Sequence, residues 1–202
     1  MNYIEGDLFE GLTKIRGDGT VVIAHVCNCE GKMGAGFVVP LEHAYPKNKQ
    51  AYIQWHEGKH SAEISESLGI NVRSTGPCAL GETQFVQVLD QRQVHDAQYP
   101  RVIVANMVAQ TLGGKRPLYY NHLVRCMTQV ATLAGKTDLL WAGKTDLHII
   151  CPMFGGGLAG GDWRFIHGLI EDTWQREKSD LIEVTVYYLE QFVKDTDREV
   201  MS

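Results

Sequence analysis

The stretch Val21-Val-Ile-Ala-His-Val-Cys-Asn-Cys-Glu-Gly-Lys-Met-Gly-Ala-Gly36 decides the fold. It opens as an apolar, β-branched run that reads as a buried strand and passes through a glycine-rich turn at residues 28–36. It then enters a segment whose apolar positions Phe37, Val38, Leu41 and Ala44 mark one helical face. The same order recurs at Leu147-His-Ile-Ile-Cys-Pro-Met153, followed by Phe154-Gly-Gly-Gly-Leu-Ala-Gly-Gly161 and a helical pattern over residues 162–175. Strand, glycine loop and helix gather backbone N–H groups around an anion, because glycine permits close approach and the helix N-terminus adds partial positive charge. Two such loops, about 120 residues apart in one small chain, imply a ligand held between two backbone clamps, such as a pyrophosphate.

Outward from these loops the pattern alternates. Strands are predicted at residues 2–5, 21–26, 83–89, 101–108, 147–153 and 184–189, and helices at 7–14, 36–45, 118–134 and 162–175. Residues 51–68 read as helix interrupted by Gly58-Lys-His60, and 69–81 as irregular. The segment Ala134-Gly-Lys-Thr-Asp-Leu139 repeats as Ala142-Gly-Lys-Thr-Asp-Leu147, too short a period for a solenoid unit, so it reads as a local duplication lengthening a connection. Residues 191–202 form a polar tail, expected to be mobile. Alternating buried strands and amphipathic helices predict an α/β domain with a central sheet and helices on both faces.

At 202 residues the chain suits one domain, burying roughly 70% of its unfolded surface. Its net charge of −5 and scattered lysines and arginines disfavour a non-specific nucleic-acid binder. No apolar run suits a membrane span and the N-terminus lacks a signal-peptide layout, so a cytoplasmic protein is expected, or a nuclear one in a eukaryote. Five cysteines, odd in number and without Cys-x-x-Cys spacing, fit a reducing compartment. Neither loop ends in Gly-Lys-Ser/Thr, and Gly34-Ala-Gly36 lacks the rest of a dinucleotide fingerprint. No Gly-x-Ser-x-Gly elbow occurs, so kinase, dehydrogenase and α/β-hydrolase readings fail.

Among polar residues beside the loops, Asp7 reads either as a carboxylate accepting from an exocyclic amine such as that of adenine, or as a helix N-cap. His25 reads as a general acid–base or as a satisfied core histidine. Asn28 is a ribose-hydroxyl partner or a turn cap, and Asp162 a weaker acid–base or an N-cap. No metal site is expected from Cys27 and Cys29, and no cofactor is called for.

The chain resembles the macrodomain family, the ADP-ribose-binding α/β module, over residues 1–190. The matching pieces are Tyr3-Ile-Glu-Gly-Asp-Leu8, residues 24–37, Tyr45-Pro46, Val104-Ala-Asn-Met-Val-Ala-Gln110, residues 151–163 and Val184-Thr-Val-Tyr-Tyr188. The resemblance implies a three-layer α/β/α fold with a central mixed sheet. Its His-x-x-Asn-x-x-Gly-x-x-Gly-x-Gly arrangement is similar to the branch holding ADP-ribose 1″-phosphate phosphatases and hydrolases that remove terminal ADP-ribose from protein glutamate. Carried over, Asp7 faces the adenine amine and Asn28 meets the distal ribose, while Gly34, Ala35 and Gly36 with Phe154, Gly155, Gly156, Gly157, Leu158 and Ala159 wrap the pyrophosphate and distal ribose. Leu8, Lys32 and Met33 are further ligand-binding candidates. His25, Asn28 and Asp162 become the catalytic candidates. Met107 stands near where a lysine-using hydrolase type carries its lysine, and Ala159 where that type has an aspartate, so the resemblance points to the phosphatase type. The expected activity is ADP-ribose binding with hydrolysis of ADP-ribose 1″-phosphate to ADP-ribose and phosphate. The alternatives are de-ADP-ribosylation of a modified macromolecule, or binding without turnover.

Overall fold

The computed structural model describes residues 1–17, 19–89, 100–114, 117–134, 147–157, 159–176 and 181–201. Strands β1 (Asn2–Glu5), β2 (Thr20–Asn28), β3 (Val72–Ser74), β4 (Thr83–Leu89), β5 (Arg101–Gln110), β6 (Leu147–Pro152) and β7 (Ile182–Tyr188) form one sheet in the order β1-β7-β6-β2-β5-β4-β3. β1, β7, β6, β2 and β5 run parallel, and β4 is antiparallel to both β5 and β3, which makes the sheet mixed. The helices are α1 (Leu8–Leu12), α2 (Val38–Ala44), α3 (Pro46–His56), α4 (Ser61–Leu68), α5 (Tyr120–Ala131) and α6 (Trp163–Ile170), the last continuing as a π turn over Glu171–Gln175. Among the described residues no helix is long and apolar enough to cross a membrane.

Side-chain alternation along the buried strands sorts the helices into two outer layers. Val22 and Ala24 of β2 face the cluster containing Leu123, Cys126 and Met127 of α5 and Trp163, Ile166 and Ile170 of α6. Val21 and Ile23 face the other way, onto Leu8 and Leu12 of α1 and Leu41 of α2. Cys27 and Val108 continue that second face beneath Tyr52 and Trp55 of α3 and Ile64 of α4. Because period-2 strands offer opposite faces, one apolar run supplies both cores, and the three-layer α/β/α fold follows.

Most predicted elements are present, with bounds that differ by a few residues. The interruption at Gly58-Lys-His60 is a true break between α3 and α4, where Gly69 in a left-handed conformation then ends α4. β3 lies within the stretch expected to be irregular. Three residues are too few to show alternation, and pairing with β4 is what makes them a strand. The tail is not loose: it forms two 3₁₀ turns, Glu190–Phe192 and Asp195–Val200, with Asp197 buried and Val200 packed on the α5/α6 core. The duplicated segment at residues 134–147 lies almost wholly outside the described residues.

Candidate functional site

The chain leaves β2 toward β5 and leaves β6 toward β7, so the connections diverge between these two adjacent strands. A crevice at the carboxyl ends of the strands, at such a switch point, is where open α/β sheets bind ligands. Pairing between β2 and β6 stops at Ile23↔Ile150, although β2 runs on to Asn28 and β6 to Pro152, so the strands part at that edge. The two glycine loops leave these two strands, loop 1 over residues 28–36 and loop 2 over 154–161. The turn at Gly6-Asp7, after β1, lies at the same edge of the sheet.

Loop 1 is built around Asn28. Its Oδ1 accepts from the backbone N–H of Glu30 at 3.0 Å and of Lys32 at 3.1 Å, and its Nδ2 donates to the Lys32 carbonyl at 2.6 Å. The Tyr52 hydroxyl donates to the Asn28 carbonyl. Both Glu30 carboxylate oxygens accept from Leu112 N–H at 3.1 Å, which ties loop 1 to the chain after β5. Among the described residues, one amide hydrogen of Asn28 has no acceptor. Lys32, Gly34, Ala35 and Gly36 are exposed, whereas the Met33 side chain turns into the core beneath α3 and brings only its backbone to the crevice.

Loop 2 is fastened at its base. Gly161 N–H donates to Gly155 O at 2.8 Å, Gly160 N–H to Gly157 O at 3.0 Å, and Leu118 N–H to Ala159 O at 3.2 Å. Gly155 has φ +78°, a conformation that favours glycine. The Phe154 ring is buried edge-on against Trp163 and Trp174, so it anchors the loop rather than lining it. Leu158 lies outside the described residues. Among the described residues, the N–H groups of Met33, Gly34, Ala35 and Gly36 in loop 1, and of Gly155, Gly156 and Gly157 in loop 2, have no hydrogen-bond acceptor. N–H groups without an acceptor among the described residues, on loops that leave two strands where they part, can donate to an anion.

Asp7 takes its N-cap reading in the structure. Oδ1 accepts from Phe9 N–H at 2.8 Å and Glu10 N–H at 3.0 Å, capping α1, while Oδ2 has no partner among the described residues and the side chain is exposed. Leu8 is buried in the core. Asp162 caps α6 through Arg164 N–H at 3.0 Å. Exposed, and hydrogen-bonded to the Arg164 guanidinium, its carboxyl sits below the usual carboxylate range.

His25 is only 2% exposed, and its Nε2 is 2.6 Å from Asn106 Oδ1. Burial without a counter-charge pushes its pKa down to about 4, so at neutral pH the ring is uncharged. The partners that hold it, Asn106, Asn48 and Gln84, were not among the expected site residues. The one local signal was a lone polar residue, Asn106, inside the apolar run of β5. Met107, beside it, is fully buried in the α5/α6 core. Among the described residues, no three His, Cys, Asp or Glu side chains are grouped so as to hold a metal ion.

No family profile matches the chain. It is 35% identical over 69 residues to the ADP-ribose 1″-phosphate phosphatase of Meyerozyma guilliermondii, a match covering 34% of this chain and 37% of that protein, so the chain spans little more than a third of this curated relative. The solved macrodomain protein from Streptomyces coelicolor is 31% identical, superposes with a TM-score of 0.61, and is matched over 92% of this chain and 97% of its own. Thermosipho africanus DarTG, solved in complex with ADP-ribose, shares the fold at 13% identity and a TM-score of 0.61, over 99% of this chain and 44% of its own.

Proposed function

The chain belongs to the macrodomain family, and from that premise we propose that it binds ADP-ribose in the crevice between β2 and β6 and hydrolyses ADP-ribose 1″-phosphate there to ADP-ribose and phosphate. The observation that carries this reading is the pair of loops with unpaired N–H groups at the point where the two strands part. In this reading Asp7 Oδ2 accepts from the adenine amine, and the N–H groups of residues 33–36 and 155–157 hold the pyrophosphate. The spare amide hydrogen of Asn28 meets a distal-ribose hydroxyl. Water attacks the 1″-phosphorus, the ribose oxygen leaves with the bonding electrons and takes a proton, and loop N–H groups with the Lys32 ammonium offset the charge that develops. Asp162, ionised at neutral pH, is the candidate to accept the proton of the attacking water. His25, neutral and buried, is assigned a supporting role instead.

A second reading, binding without turnover, is favoured by that same burial of His25. It leaves Asp162, exposed and paired with Arg164, as the one catalytic candidate with a titratable side chain near the loops. Calorimetric titration with ADP-ribose, followed by phosphate release from ADP-ribose 1″-phosphate in the same preparation, separates the readings. Binding with release supports the phosphatase. Binding without release moves the assignment to a reader, or to a hydrolase of ADP-ribosylated macromolecules, and absence of binding defeats the proposal.

Asn28→Ala removes two acceptor bonds and one donor bond that shape loop 1. Each such bond contributes about 1 kcal/mol net, and Asn28 is buried. ADP-ribose affinity is expected to fall about tenfold, with the thermal midpoint a few degrees lower. Wild-type affinity in this variant would remove Asn28 from the binding machinery.

A further inference from the structure

Beneath loop 1, the buried side chains of His25, Asn48, Gln84 and Asn106 form one hydrogen-bonded network, with the Cys27 thiol alongside His25 and Asn106. Asn106 of β5 is fully buried. Its Oδ1 accepts from His25 Nε2 at 2.6 Å and from Asn48 Nδ2 at 3.2 Å. Its Nδ2 donates to Asn48 Oδ1 at 3.0 Å and to Gln84 Oε1 at 3.0 Å, and Gln84 Nε2 donates on to the Ala51 carbonyl at 3.0 Å. Every hydrogen-bonding position of the Asn106 amide is therefore used, and the network joins β2, β4, β5 and α3.

This network holds a ring rather than a charge. Because both Asn106 amide hydrogens are committed, its Oδ1 acts as acceptor, and His25 must present Nε2–H to it. That fixes the tautomer and the plane of the imidazole. The centroid of the same ring lies 5.8 Å from that of Phe37, and Phe37 in turn stacks on Phe9 with centroids 5.7 Å apart and planes 10° apart. Phe37 directly follows Gly36 and is the residue through which loop 1 enters α2. Val39 N–H donates to Gly36 O at 3.1 Å and Leu41 N–H to Phe37 O at 3.2 Å, so the end of loop 1 and the Phe37 backbone are joined to the first turn of α2. Phe9, on the far side of the stack, has its own N–H held by Asp7 Oδ1.

The geometry points to Asn106 as a positioning residue: through His25 and Phe37 it fixes residues 34–37 of loop 1, and the stack extends to the Asp7 turn, with no contact to the ligand. Its consequence for affinity rests on the ADP-ribose reading, whereas its consequence for the loop does not. A purely architectural role would show as lost stability with the loop unchanged. A positioning role moves the loop and is rescued by any side chain that still accepts from His25.

The test uses the ¹⁵N-labelled full chain as wild type, Asn106→Leu and Asn106→Asp. The His25 imidazole correlations, amide exchange at Val39 and Leu41, and calorimetric affinity for ADP-ribose are read on each. The wild type is expected to show the neutral Nε2–H tautomer. Asn106→Leu should lose that signature, exchange Val39 and Leu41 at least tenfold faster and bind ADP-ribose at least tenfold more weakly. Asn106→Asp keeps an oxygen that accepts from His25 Nε2–H but loses the donors to Asn48 and Gln84. It should hold the Nε2–H bond, with the ring now able to carry a second proton, and bring exchange and affinity closer to wild type than Asn106→Leu does. If Asn106→Leu does not fold, Asn48→Ala strips two of the four bonds to Asn106 and leaves the one from His25. It should keep the Nε2–H signature while exchanging Val39 and Leu41 about fivefold faster and binding ADP-ribose about fivefold more weakly than wild type, and wild-type values for both would overturn the assignment. A folded variant with the His25 signature lost but with wild-type exchange and affinity overturns the assignment. A wild type that binds no ADP-ribose, while Asn106→Leu still loosens Val39 and Leu41, removes the binding reading and leaves the positioning role standing.

Discussion

Gly161→Ala is expected to weaken ADP-ribose binding about a hundredfold, equivalent to about 2.7 kcal/mol. A Cβ at this position would lie 2.8 Å from the Gly155 carbonyl oxygen, 2.6 Å from Leu118 Cδ2 and 3.1 Å from Ile166 Cδ1. Leu118 can rotate, but the carbonyl is backbone, and Gly161 N–H is the donor bonded to it at 2.8 Å. The methyl group therefore separates the two ends of loop 2, loses that hydrogen bond and displaces the N–H groups of residues 155–157. The carbonyl of Ala159, which accepts from Leu118, moves with them. Calorimetry of the variant against wild type gives the answer. Gly168→Ala is the control for the substitution itself, since a Cβ there meets nothing within 4 Å. Inside α6 it should leave binding unchanged and raise stability by up to about 1 kcal/mol. A folded Gly161→Ala chain that binds ADP-ribose within threefold of wild type would show that loop 2 is not a clamp.

The unfolding free energy is expected to drop by about 3 kcal/mol between pH 6.5 and pH 4 through His25 alone. In the unfolded chain the ring takes a proton near pH 6.5, whereas burial holds its folded pKa at about 4. Above pH 6.5 the ring is neutral in both states and contributes no pH dependence. As the pH falls from 6.5, only the unfolded chain gains the proton, so unfolding becomes progressively easier. The loss is complete near pH 4, where the folded chain begins to bind the proton as well. At about 1.4 kcal/mol for each tenfold difference in proton affinity, the gap from 6.5 to about 4 gives the stated figure. His148 is lowered in the same direction by its burial, with Glu183 opposing, and adds with the same sign. Urea unfolding of wild type and His25→Gln at pH 7.5, 6, 5 and 4 isolates the His25 contribution, because carboxylate effects are common to both chains. The wild-type curve should fall more steeply by that amount, and parallel curves would mean that the ring is hydrated in the folded state.

Much of this architecture was legible because its signals are local. The β-branched run of β2, the helical faces of α2 and α6, Asp7 and Asp162 as caps, and both glycine loops each declare themselves within about ten consecutive residues. What stayed hidden depended on partners distant in sequence. β3 is a strand only because β4 pairs with it. Asn48, Gln84 and Asn106 are three isolated polar residues, with Asn106 lying 58 residues from Asn48 and 22 from Gln84, and no pattern along the chain links them. His25 had two open readings, and its proton affinity depends on burial that β5 and α3 supply. The side chains of Met33 and Phe154 lie in loops that the sequence marks as ligand-facing, yet both turn into the core, because a loop can offer its backbone to solvent while its apolar side chains pack beneath.

The sequence by itself determined most of the elements and the two glycine loops that leave β2 and β6, since these follow from periodicity, capping and the freedom of glycine over short spans. Only the tertiary structure decided that β2 lies beside β6, that their pairing stops at Ile23↔Ile150, and that both loops leave the same edge of the sheet. It also decided that His25 lies beneath the site as a neutral ring held by Asn106. Strand order and burial are set by contacts between residues far apart in the chain, whose closure no local propensity encodes.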